Sequence, residues 1–121
     1  MNVYRGEIWL TDFGYGYGSE QGGVRPAVIV QNNIGNKHSP TTIVVPVTSR
    51  QMKAHIPTHV KIKSACLSKR SLALTEQVIT IDKSRLIRKL GNVKMKSLLK
   101  IGTALVIGLG LNNTFQRGVH K

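Results

Sequence analysis

Nine consecutive residues, Gly18-Ser19-Glu20-Gln21-Gly22-Gly23-Val24-Arg25-Pro26, bring three glycines, a carboxylate, an amide and a guanidinium together and run straight into the apolar Ala27-Val28-Ile29-Val30. Glycines let the backbone take positive φ and let a ligand approach closely, and Arg25 stands at the mouth of what reads as a buried strand. That is the pattern of a binding loop carried on a rigid scaffold.

The acids restrict the chemistry. Glu7, Asp12, Glu20, Glu76 and Asp82 are the whole supply and are scattered singly, whereas a two-metal phosphodiesterase needs carboxylates that converge. The four histidines, His38, His55, His59 and His120, have no ligand spacing with one another, and Cys66 is alone. A zinc site and an intramolecular disulfide are therefore disfavoured, and no metal or cofactor is expected. His59 can be read as a general base or as a surface strand residue, the second being the commoner case.

Cleavage of RNA without a metal asks for less. The 2′-hydroxyl is a nucleophile already tethered to its phosphate, so the protein must orient it, help two protons to move and stabilise charge on phosphorus. A guanidinium can grip two phosphate oxygens in a fork while a hydroxyl donates to a third. Arg25 and Thr48 suit those roles. Taken singly, each also has a plain structural reading, Arg25 as a strand-end ion pair and Thr48 as a β-forming filler.

The elements that would position these residues are short strands. Glu7 to Thr11 is rich in β-formers and ends at Asp12. Phe13-Gly14-Tyr15-Gly16-Tyr17-Gly18 alternates glycine with aromatics, which suits either a local turn or a mobile flap whose rings stack on bases. Val24 to Gln31 and Thr41 to Thr48 are apolar on both faces, as central strands are, with Pro26 and Pro46 placed where no ladder donor is needed. Asn32 to Pro40 reads as a connection, and Ser49 to His55 as a polar, basic loop. Thr58 to Lys63 alternates, with Val60 and Ile62 inward and His59, Lys61 and Lys63 outward. Ser71 to Thr75 and Gln77 to Ile81 add two more strands. Five to six short strands joined by turns predict a mainly β fold, a small closed barrel. Asp82 is placed to cap a short helix through Lys89, broken at Gly91. A final helix is expected from about Asn92, its packed stripe formed by Met95, Leu98, Leu99, Gly102, Leu105, Val106 and Leu109. Residues 1–111 form one domain in this reading, and Asn112 to Lys121 a polar tail.

Eighteen lysines and arginines stand against five acids, a formal charge of +13 in 121 residues. That excess attracts polyanions, although a basic surface can also serve solubility alone. The N-terminus has no apolar segment of the kind that leads a secreted chain, and the apolar run from Ile101 to Leu111 is about half the ~20 residues a membrane helix needs. A cytoplasmic protein without membrane contact is expected.

The phrases Gly18 to Pro26, Val28-Ile29-Val30-Gln31-Asn32, Gly35-Asn36, Ser39-Pro40-Thr41, Pro57-Thr58-His59-Val60 and Glu76-Gln77, in that order and spacing, closely resemble the MazF/PemK family of toxin endoribonucleases from bacterial toxin–antitoxin pairs. The resemblance runs from about Arg5 to about Leu111. It implies an SH3-like barrel with a C-terminal packed helix, a homodimer, a single-stranded RNA substrate, and a cognate antitoxin offering an acidic, disorder-prone segment to the basic groove. It also implies catalytic roles for Arg25 and Thr48, with Arg25 stabilising charge because a group with a pKa above about 12 is a poor proton acceptor. Glu20 or the Thr48 hydroxyl would then assist the 2′-oxygen. Implied RNA contacts are Tyr17, Ser19, Glu20, Gln21, Ile56, Ser71 and Gln77. The chain departs from the family in its Gly-Tyr flap, where relatives commonly carry Leu-x-Pro, and at Ile79, where many have arginine, so the base preference of relatives does not carry over. A non-catalytic basic barrel that binds nucleic acid, or one that poisons DNA gyrase, is the competing reading, and fold alone does not separate the two.

Overall fold

The computed structural model describes residues 1–18, 20–50 and 56–111. Strands β1 (Glu7–Asp12) and β2 (Val24–Ile29) are followed by a six-residue helix α1 (Asn33–His38) and the long strand β3 (Thr41–Thr48). Then come β4 (His59–Ile62), β5 (Ser71–Leu74), β6 (Ile79–Asp82), β7 (Leu86–Asn92) and helix α2 (Met95–Gly108).

All pairings are antiparallel, in the order β4-β5-β3-β2-β1-β7, with β6 also on β3. Strand β3 organises the sheet. One edge pairs with β2; the other takes β6 along Thr41–Val44 and then β5 at Val47 and Thr48. Pro46, which has no amide to donate, falls in the gap between those two partners. The architecture is the expected mainly β fold with a packed C-terminal helix, but it has seven strands where five to six were expected, and the barrel expected to be closed is open between β4 and β7 at the two ends of the path.

Alternation along the strands divides the apolar residues between two clusters. Ile8, Val28, Val45, Val47, Val60, Ile62 and Ala73 pack with Ile101 and Ala104 of α2. Trp9, Ala27, Ile29, Val44, Ile81 and Leu86 fill the opposite face.

Three elements differ from the sequence-based expectation. Residues 32–40 are not merely a connection: the Asn32 side chain accepts from the Gly35 amide at 2.8 Å and starts α1, a helix too short and polar to show a period. Asp82 does act as a cap, accepting from the Ser84 amide at 2.9 Å, but it starts only a 3-10 turn, Lys83–Arg85. The chain then continues as β7 against β1, because Leu86 can be buried in the second cluster and Gly91 lets the strand run close to Cys66. In α2 the buried residues are Ile101 and Ala104, with Leu98 and Leu105 half-buried, while Met95, Leu99, Val106 and Leu109 are exposed. The packed stripe is therefore rotated from the expected one, because small Ala104 lets the helix sit close to the sheet.

Candidate active site

Antiparallel register decides whether Arg25 and Thr48 can act together. Ala27 lies opposite Pro46, Val28 opposite Val45 and Ile29 opposite Val44. The paired stretch stops at Ala27 and Pro46, two residues short of Arg25 on β2 and of Thr48 at the end of β3. Residues opposite one another in an antiparallel pair point to the same face, with Cβ atoms about 5 Å apart. That register continued over two more residues would set Arg25 and Thr48 on one face, at the same end of the strand pair.

Arg25 is half-buried and its Nε donates to the Gly22 carbonyl at 3.0 Å. That bond uses one edge of the guanidinium and leaves the terminal nitrogens for an oxyanion. Among the described residues no carboxylate pairs with Arg25, which removes the strand-end ion pair as an explanation. The Thr48 side chain is buried, and its Oγ1 accepts from the Arg50 amide at 3.1 Å. The accepted bond fixes the oxygen and leaves its proton to donate.

The flap is folded on itself by backbone contacts, the closest of them between glycines. Gly23 donates to the Gly14 carbonyl at 2.6 Å, and Phe13 to the Gly23 carbonyl at 3.0 Å. Gly16 and Gly22 pass so close that a Cβ on Gly16 would lie 2.8 Å from the Gly22 nitrogen. Gly18 has φ +60, which disfavours any side chain. At the tip the Tyr17 ring is 85% exposed, available for stacking rather than used as core. Glu20 accepts from the Tyr17 amide through Oε1 at 3.2 Å and so shapes the turn. Among the described residues, no hydrogen bond links that carboxylate to Arg25 or Thr48. Ser19 lies outside the described residues.

Gln21 and Gln77 meet across 56 positions of sequence, the Gln21 amide donating to Gln77 Oε1 at 2.8 Å. Gln77 ends the 3-10 turn Thr75–Gln77 that follows β5. Guanidinium, flap and turn therefore form one run of contacts, from Arg25 through Gly22 and Gln21 to Gln77. Ser71 is buried at the start of β5, its hydroxyl donating to the Lys69 carbonyl at 3.0 Å. Ile56 is 41% exposed at the approach to β4, with its carbonyl held by the His59 amide; among the described residues no hydrogen bond joins it to the flap.

Two features were not foreseen from sequence. His59, expected outward, has a side chain only 9% exposed and pairs through Nε2 with Glu76 Oε2 at 2.9 Å. Its Nδ1 is buried without a hydrogen-bond partner. Strand alternation predicts the direction of a side chain but not whether a neighbouring turn covers it. The second feature is a cavity of about 500 Å³ beyond the end of β3, in which seven of twelve lining residues are lysine or arginine. Its cations come from four separate segments, so no sequence window displays them together. Among the described residues, no three His, Cys, Asp or Glu side chains cluster as a metal site would require.

Comparison with known proteins agrees with this fold. The family model for PemK-like, MazF-like toxins of type II toxin–antitoxin systems matches residues 4–109. The chain is 50% identical over 113 residues to Endoribonuclease MazF of Staphylococcus epidermidis, covering 92% of this chain and 94% of that one. Among solved structures, an endoribonuclease in complex with its cognate antitoxin from Mycobacterial species aligns with a TM-score of 0.74 at 31% identity, over 90% of this chain and 96% of that one. MazF of Deinococcus radiodurans aligns with a TM-score of 0.79 at 26% identity, over 91% and 98%. Matched over nearly its whole length, this chain belongs to the PemK-like, MazF-like toxin family of type II toxin–antitoxin systems.

Proposed function

We propose that this protein is the toxin of a toxin–antitoxin pair, an endoribonuclease that cleaves single-stranded RNA by attack of a 2′-hydroxyl on the adjacent phosphate. Membership of the family and the endoribonuclease relative at 50% identity support the activity. The observation that supports the mechanism is the β2–β3 register, whose continuation would bring Arg25, a guanidinium with no carboxylate partner among the described residues, opposite the Thr48 hydroxyl.

In this reading the 2′-oxygen bonds to phosphorus as the bond to the 5′-oxygen breaks, leaving a 2′,3′-cyclic phosphate and a 5′-hydroxyl. Arg25 spans two phosphate oxygens and passes a proton to the leaving 5′-oxygen, regaining one from solvent, and Thr48 donates to the remaining charge. Glu20, an acceptor when ionised, takes the proton of the 2′-hydroxyl once bound RNA has repositioned the flap. Tyr17 and Ser19 on the flap, with Gln21, Gln77, Ile56 and Ser71, meet the splayed bases and sugars. The protein acts as a cytoplasmic homodimer and is silenced by an antitoxin whose acidic segment occupies the same basic surface; the solved relative at 31% identity is itself a complex with its cognate antitoxin.

Incubation of the purified protein with a long single-stranded RNA in EDTA tests this. Discrete fragments ending in 2′,3′-cyclic phosphate are expected, lost in Arg25→Ala and Thr48→Ala while binding is largely kept. Uncut RNA, or cutting only when magnesium is added, would show instead a passive binder or a metal-dependent enzyme.

A further inference from the structure

The basic cavity past the end of β3 lies close to the candidate cleavage pair but is not part of it. Thr48 is opposite Leu72, and Leu72 is opposite Lys61, so the three form one cross-strand row. At about 4.8 Å between strands, Thr48 and Lys61 are roughly 10 Å apart along that row. Leu72 and Lys61 both line the cavity, with Arg50 beyond β3, Arg70 before β5, and Lys94, Lys96 and Lys100 at the start of α2. No carboxylate lines it among the described residues.

So many cations around one hollow repel one another, and the start of α2 adds to the strain. Its N-cap is Lys94, with no side-chain cap and no acid in the first turn. Lysines there oppose the positive end of the helix dipole, where an anion would be stabilised. Three serines, Ser49, Ser71 and Ser97, supply hydroxyls, and among the described residues neither an aromatic ring nor an Asn or Gln amide lines the cavity to read a base. The lining therefore suits phosphate oxygens and offers no means of choosing sequence.

We infer that this cavity is a second anion subsite, which takes the phosphates of the RNA strand flanking the cleaved bond. The inference rests on the proposed endoribonuclease reading, since a strand held at Arg25 and Thr48 continues along the row into the cavity. The subsite supplies affinity and salt dependence, while the flap and the 3-10 turn supply base choice.

The test uses the variant Lys94→Gln/Lys96→Gln/Lys100→Gln, with Lys96→Gln and Lys100→Gln made singly in case the triple fails to fold. Cleavage sites are first mapped with wild type in EDTA. Binding is then measured against salt for two RNAs carrying a 2′-deoxy nucleotide at the cut, one confined to the recognised bases and one with long flanks. On the long RNA the slope of log K against log salt should shrink by about 2 in the triple and by about 0.7 in each single variant. Affinity at 0.1 M salt should fall up to roughly a hundredfold. Binding of the short RNA should change less than twofold, and the sequence cut should not change. Equal losses on both RNAs would mean that these lysines serve the cleavage centre itself. No loss on either would mean that the hollow takes no nucleic acid, and a loss seen only with a poly-glutamate peptide would assign it to an acidic protein partner. Each of these overturns the inference. If wild type leaves RNA uncut in EDTA, the endoribonuclease reading fails separately; the salt slopes, measured then on one long and one short single-stranded RNA of arbitrary sequence, still report whether the cavity binds phosphates.

Discussion

At the scale of single residues, Arg25 is defined as much by what it lacks as by what it touches. Its one hydrogen bond to the Gly22 carbonyl orients the planar group, and no acid neutralises it among the described residues. Lysine carries the same charge but cannot form the fork, so Arg25→Lys should leave RNA binding within a few-fold and cut kcat by about 10²- to 10³-fold, the cost of one preorganised oxyanion donor. Single-turnover kinetics would separate this from a binding defect. Glu7 illustrates the opposite case, a charge used for structure. Burial alone would raise its pKa, but donation from Trp9, Lys89 and the Tyr4 amide outweighs that and holds it below the ordinary 4.5. A carboxylate with a depressed folded pKa contributes stability that is present above its unfolded value and is lost as pH falls through the folded one. Thermal stability should therefore drop below about pH 4.5, and less so in Glu7→Gln. Glu7→Ala should cost about 2 kcal/mol at neutral pH by stranding the Trp9 and Tyr4 donors. Arg25 and Thr48 were legible in the sequence as residue types, yet the absence of an ion pair at Arg25 became visible only in three dimensions.

At the scale of elements, the flap shows how a glycine pattern becomes a surface. Gly22 lies where a Cβ would meet the Gly14 carbonyl oxygen at 3.1 Å and collide with the Gly16 backbone, whereas a Cβ on Gly18 would meet nothing within 4 Å. Gly22→Ala should therefore force the flap open and raise KM at least tenfold with little change in melting temperature, because the loop is exposed. Gly18→Ala should cost only the roughly 1–2 kcal/mol of left-handed backbone and leave KM within a few-fold. Central strands, flap and C-terminal helix could be read from apolar runs and turn residues. Helix α1 and strand β7 could not: the first is set by a single Asn32 cap within a polar stretch, and the second by pairing with β1, nearly eighty positions away in sequence.

At the scale of the whole molecule, a charge of +13 on 121 residues makes association with RNA partly a matter of counterions. The slope of log K against log salt should be linear and steeper than about −2, since each phosphate met on a single strand contributes about −0.7 and the cleavage centre with the neighbouring cavity spans several. A flat response would contradict a phosphate-tracking surface. The charge total was available from composition, but the collection of seven cations around one hollow was not. They reach it from the ends of β3, β4 and β5 and from the start of α2, and proximity of that kind is produced only by the fold.

Strand β3 gives its middle to the packed interior and its last residue to the proposed reacting pair, so the two cannot be loosened independently. A local melting of β3 that disarmed the protein while leaving it folded has nowhere to begin. Amide protons of Val28 and Val45 should become exchangeable with solvent at the same urea concentration at which RNA cutting ceases. A cell carrying such a protein gains no control by softening β3 and must restrain it in another way, by covering it or by destroying it.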